Sequence, residues 1–101
     1  MIKRHRPSIR FHADADRELT EAVRWYAGKN NEVAKRFLDD IEHAITMIAE
    51  GPLRWPPHRH GTRRYILRRF PYSIVYRVTD SHIEIVAVAH LHRKPGYWKV
   101  R

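Results

Sequence analysis

This sequence predicts an α+β domain in which a helical hairpin packs on an antiparallel sheet, in the order β-α-α-β-β-β. Three observations predict it. Apolar residues recur at three-and-four spacing from position 14 to position 50, the period of one helix face. They alternate with period two between positions 72 and 89, the period of a strand. A length of 101 residues is enough for one modest core and not for two, so residues 1–101 form a single domain.

Each element has a local reason. Ile2, Ile9 and Phe11 lie around Pro7 and mark an opening strand at a sheet edge, where a missing N–H is tolerated. From Asp14 the stripe Leu19, Ala22, Val23 and Tyr26 gives a first helix to about Lys29. Asp14, Asp16 and Glu18 suit its positive end and are read as dipole and solubility residues rather than a paired-acid site. Asn30 and Asn31 interrupt it and cap a second helix, whose apolar positions Ala34, Phe37, Leu38, Ile41, Ala44, Ile45 and Ile48 run to Gly51-Pro52. The segment Gly51 to Gly61 carries Pro52, Pro56 and Pro57 and is expected to be irregular.

Tyr65 to Phe70 reads as a strand, Pro71 as a turn, and Tyr72 to Val78 as the returning strand of a hairpin, alternating through Ile74, Tyr76 and Val78. After the turn Thr79-Asp80-Ser81, residues Ile83, Ile85, Ala87 and Ala89 alternate again. Val86 and Val88 between them indicate a central strand covered on both faces. Beyond the break at Pro95-Gly96, Trp98 and Val100 are placed as a short edge strand.

Charge narrows the partners. Lys and Arg number 20 against 11 Asp and Glu, a formal excess of +9. Residues 1–50 hold nine of each sign, so residues 51–101, with eleven basic residues against Asp80 and Glu84, carry the whole excess. Fifteen of the basic residues are Arg, which favours forked hydrogen bonding to phosphate or carboxylate. Nucleic acid and an acidic protein both fit. The absence of cysteine removes disulfide and thiolate chemistry. No segment approaches the roughly 20 apolar residues of a membrane span, so the expectation is a cytoplasmic protein without a membrane partner.

The sequence holds no Gly-rich phosphate loop, dinucleotide fingerprint or serine elbow, and no cofactor is expected. His58 and His60, then His90 and His92, are clusters able to move protons near neutrality. They lack the neighbouring acid or cysteine of a zinc site, and no metal is expected. Metal-free RNA cleavage needs a base, an acid and a cation for the developing phosphate charge, roles open to His90, His92, Arg93 and Tyr97. Arg63, Arg64, Arg68, His58, His60 and Lys94 are the candidate nucleic-acid contacts, with Arg64 and Arg68 on one strand face and Arg69 on the other. Trp55, Tyr65 and Tyr97 offer base-stacking surfaces.

Three blocks carry a resemblance: Glu18-Leu19-Thr20-Glu21-Ala22-Val23-Arg24-Trp25-Tyr26, Arg68-Arg69-Phe70-Pro71-Tyr72-Ser73-Ile74-Val75-Tyr76 and Ala87-Val88-Ala89-His90-Leu91-His92-Arg93-Lys94-Pro95-Gly96-Tyr97-Trp98. In this order they resemble the RelE/ParE superfamily, often described as plasmid-stabilisation proteins. The resemblance implies the toxin of a bacterial type II toxin–antitoxin module, two helices against a sheet, neutralised by a small acidic antitoxin and oligomeric only through that complex. RelE-like members cleave mRNA in the ribosome, and ParE-like members inhibit DNA gyrase without nuclease residues. The histidine, arginine and tyrosine cluster favours ribosome-dependent cleavage of mRNA, with gyrase inhibition as the alternative and a non-catalytic basic binding domain as the third. Ser73 stands where RelE-like toxins carry an arginine after the hairpin tyrosine.

Overall fold

A computed structural model describes residues 8–101. Ile2 and Pro7, placed with the opening strand, lie outside the described residues. The elements are β1 (Ser8–Phe11), α1 (Ala13–Lys29), α2 (Asn31–Glu50), β2 (Pro57–His58), a 3₁₀ turn at Arg59–Gly61, β3 (Thr62–Ile66), β4 (Tyr72–Val78) and β5 (His82–His90). They form one five-stranded sheet in the order β1-β5-β4-β3-β2, with the helical hairpin on one face.

Both helices start on side-chain caps. The ring Nδ1 of His12 accepts from the Asp14 N–H at 3.1 Å, and the Asn30 side chain accepts from the Glu32 N–H at 2.8 Å. The apolar stripes then do what their period predicts. Ala15, Ala22, Phe37, Ile41, Ala44 and Ile48 are buried against Tyr65, Ile74, Tyr76, Ile83, Ile85 and Val88 of the sheet. Phe37 is the centre of an aromatic group, with Tyr26, Phe70 and Tyr72 at ring separations of 5.0 to 5.3 Å.

Four expectations change. The sheet is mixed, because β1 pairs with β5 in parallel, Ser8 opposite His82 through Phe11 opposite Ile85. The proline-rich segment contains regular structure after all: Pro57 and His58 pair with Arg63 and Thr62, which closes the far edge. The first hairpin strand occupies 62–66 rather than 65–70. Leu67 and Phe70 instead turn into the helix-side core, and Arg68 and Arg69 are exposed in the connection. The tail forms turns, not an edge strand: Trp98 is 2 % exposed beneath the second sheet face, and Val100 points to solvent.

A bulge explains the remaining difference. Val75 faces Ala87 and Tyr76 faces Ile85, so Val86 is an extra residue without a partner. The alternation Ile83, Ile85, Ala87, Ala89 therefore does not stay on one face. Ile83, Ile85 and Val88 meet the helices, while Val86, Ala87 and Ala89 join Val75 and Trp98 on the opposite side. The strand is buried on both faces as expected, and the tail supplies the second cover.

Candidate functional site

β5 outruns its neighbour. β1 pairs only with residues 82–85, so the later half of that β5 edge presents backbone groups with no strand beside them. Side chains replace the strand. Glu18 of α1 accepts from the Val88 N–H at 3.1 Å, and Arg101 donates to the Val86 carbonyl at 3.0 Å. The two side chains also bind each other, Arg101 Nη1 to Glu18 Oε1 at 2.8 Å and Nη2 to Oε2 at 3.2 Å, with side chains only 8 % and 6 % exposed.

The same carboxylate gathers two residues expected to be catalytic. Tyr97 donates its hydroxyl to Glu18 Oε2 at 2.8 Å, and Arg93 Nη1 donates to that oxygen at 3.3 Å. The Arg93 guanidinium lies 3.5 Å from the centre of the Tyr97 ring. Burial, then the hydrogen bond to Glu18 and its charge, push the Tyr97 phenol well above its ordinary range. Glu18 is thus not a solvated helix-end charge but the buried centre of a clasp holding the tail to α1 and β5. Its signal was its position: Ala15, Glu18 and Ala22 follow the buried spacing of α1, a carboxylate on an apolar stripe.

The other predicted residues divide. His90 and His92 are adjacent, with rings 5.0 Å apart, and His90 Nδ1 accepts from the His92 N–H at 3.1 Å. His90 also packs edge-on to Tyr72, and His92 is exposed. Arg63 binds the proline-rich loop, donating to the carbonyls of Trp55 at 2.7 Å and Leu53 at 3.3 Å. Arg68 lies beyond the end of β3 and does not share a strand face with Arg64. Tyr65 is buried with its ring 4.6 Å from Trp55, so it offers no stacking surface. Lys94 and His60 are exposed. His58 stacks at 5.3 Å on Trp98, and burial together with Arg64, Arg59 and His60 lowers its pKa.

Beside the clasp runs a groove of about 510 Å³ lined by Ala22, Trp25, Tyr26, Pro71, Tyr72 and Val88, together with the charged or polar Glu18, Glu21, His90 and Arg93. Trp25 is 60 % exposed there, with Lys29 Nζ 5.3 Å from the centre of its ring. Among the described residues no group of three His, Asp or Glu side chains is arranged to hold a metal ion, and no helix is long and apolar enough to cross a membrane.

Comparison with known proteins adds kinship to this geometry. Residues 9–95 match the family described as ParE toxin of type II toxin-antitoxin system, parDE. Toxin ParE2 of Mycobacterium tuberculosis is 32% identical over 89 residues, covering 87% of this chain and 85% of that protein. The putative toxin Y4kP of Sinorhizobium fredii is 32% identical over 90 residues, covering 88% and 93%. A solved structure titled a chromosomal ParDE TA system from P. aeruginosa superposes with a TM-score of 0.74 at 21% identity, covering 85% of this chain and 97% of that one, a likeness of fold.

Proposed function

The chain belongs to the ParE toxin family and is the toxin component of a type II toxin–antitoxin module, and from that premise we propose that it arrests growth by inhibiting DNA gyrase rather than by cutting mRNA. One observation carries the choice: Arg93 and Tyr97 are bound to Glu18. A metal-free nuclease needs a cation free to meet the phosphate and groups that exchange protons near neutrality. Of the four residues expected to be catalytic, the one cation, Arg93, faces a carboxylate, and the Tyr97 phenol is held far above neutral pH. His90 and His92 alone do not make that set, and Ser73 stands where the cleaving branch carries an arginine.

The cognate antitoxin has a surface to cover in the groove along Trp25, Tyr26 and Tyr72. An acidic tail matches the eleven-to-two basic excess of residues 51–101. Folding onto that groove removes apolar area from water, so the toxin's stability is expected to rise with antitoxin concentration.

The test compares two reactions with the same purified toxin. Supercoiling of relaxed plasmid by DNA gyrase is expected to fall with added toxin and to recover with antitoxin. Primer extension on mRNA in a translation reaction is expected to show no new stops. New cuts in the ribosomal A site with gyrase unaffected would reverse the proposal and return the His90–His92 pair to a catalytic role.

A further inference from the structure

The sheet face away from the helices carries a second feature, which meets the clasp and the groove only at Arg93 and His90. Trp98 and His58 line a small cavity together with Arg64, Ser73 and Ala89, with His90 and Arg93 also in its wall. Trp98 is 2 % exposed, and its indole Nε1 is buried without a hydrogen-bond partner. So is Nε2 of His58. Two buried nitrogens without partners, on two side chains that line one small cavity, are costly unless a ligand or water meets them.

The surroundings specify the charge of that ligand. The charged and titratable groups around His58 are Arg64 on β3, Arg59 and His60 on the 3₁₀ turn, His90 at the end of β5 and, from the tail, Arg93, which is paired with Glu18, beside the uncharged Trp98 ring. Arg59, Arg64 and the nearby Lys94 form no ion pair among the described residues. The two acids of this half are elsewhere, Glu84 bound to Arg77 and Asp80 in the β4–β5 turn. The volume, about 20 Å³, admits one oxygen-sized group, and a larger anion would leave its other atoms at the rim beside Arg64.

We propose that this cavity binds one phosphate oxygen of a nucleic-acid backbone, with the indole N–H of Trp98 and protonated Nε2–H of His58 donating and Arg64 supplying charge at the mouth. Arg59 on the 3₁₀ turn and the exposed Lys94 in the tail, between the cavity residues Arg93 and Pro95, extend the basic surface beyond one phosphate. An isolated phosphate ion fits the same donors but gains nothing from that extension. Because the bound anion favours protonated His58, binding tightens as pH falls through the titration of that imidazole. The site is independent of the gyrase reading: a toxin aimed at either machinery would meet nucleic acid, and the donors are distinct from the Glu18 clasp.

The experiment is a ¹H–¹⁵N NMR titration of the full chain that follows the Trp98 indole N–H. Inorganic phosphate and a short DNA duplex are each added at about pH 6 and about pH 7.5, on either side of the ordinary histidine range. The expected result is a saturable indole shift with both ligands, tighter at the lower pH for the duplex, whose phosphodiesters keep one negative charge across this range, and tighter for the duplex than for inorganic phosphate by about tenfold or more at low salt. Arg64→Gln, which leaves Trp98 and His58 in place, and His58→Gln, which removes the ring packed on Trp98, are each expected to weaken duplex binding read at the indole about fivefold or more, with the free indole resonance native in Arg64→Gln. An indole unmoved by either ligand overturns the site. Saturation by inorganic phosphate with no response to the duplex overturns the backbone assignment, and duplex binding that leaves the indole unmoved places the contact elsewhere and overturns it too.

Discussion

The two faces of the sheet are closed by different physics. On one, two long helices bury Phe37, Ile41 and Ile48 against Ile74, Tyr76 and Ile85, a seal of apolar packing. On the other, a short tail buries little beyond Trp98 and is held by a carboxylate, two arginines and a phenol around Glu18. Apolar packing tolerates rearrangement at modest cost, whereas a buried ion pair is costly to break on one side. The helix face therefore sets whether the chain folds, and the clasp sets whether the tail stays on the fold.

The largest loss is expected from Phe37→Ala, a fully buried ring at the centre of the aromatic group, at about 3 to 5 kcal/mol in denaturant unfolding. Glu18→Gln is expected to cost about 3 kcal/mol, because the buried Arg101 is left with only the half-exposed Asp14, 3.6 Å away, as its counter-ion. The two variants should differ in kind. Hydrogen exchange in Glu18→Gln rises first in residues 91–101 with the helices still protected, while in Phe37→Ala protection falls throughout. Adding Arg101→Met to Glu18→Gln should restore part of the loss; no recovery would mean that the pair is not coupled. Tyr97→Phe removes one hydrogen bond to a charged group and is expected to cost about 1.5 to 3 kcal/mol, with tail exchange raised to a lesser extent.

The smallest effect depends on pH. The folded state holds His58 below its ordinary pKa, chiefly by burial and then by Arg64, so between the two values the unfolded chain binds more protons. Stability should therefore fall as pH drops from about 7 through the ordinary histidine range near 6.5, until the folded imidazole titrates as well. Thermal unfolding of wild type and His58→Gln over that range measures it. The variant is expected to show a shallower decline, and identical slopes would remove His58 from the account.

What the sequence displayed followed from the range of each interaction. The helices were legible because the stripe through Phe37, Ile41 and Ile48 is local and periodic, and β4 was legible from end to end because Tyr72, Ile74 and Tyr76 keep one face. The bulge at Val86 was not, since Ile83, Ile85, Ala87 and Ala89 look alike whether the strand turns over or not. The parallel partner of β1 was hidden because no turn fixes the register of strands so far apart in the chain. Arg93 and Tyr97 stood out in the sequence, but the carboxylate that they bind did not. Arg93, Tyr97 and Arg101 meet Glu18 from 75 to 83 positions away, and a carboxylate near a helix start looks like a dipole charge until that contact is seen.

One measurement bears most directly on the claim that this toxin holds its target rather than cutting RNA. His90→Gln combined with His92→Ala removes the paired imidazoles beside the clasp and leaves Glu18, Arg93 and Tyr97 bound to one another. Induced without antitoxin, the folded double variant is expected to arrest growth as the wild type does, to inhibit gyrase supercoiling equally, and to be relieved by antitoxin. A folded, antitoxin-binding double variant that has lost growth arrest while wild type produces ribosome-dependent mRNA cuts would contradict the account.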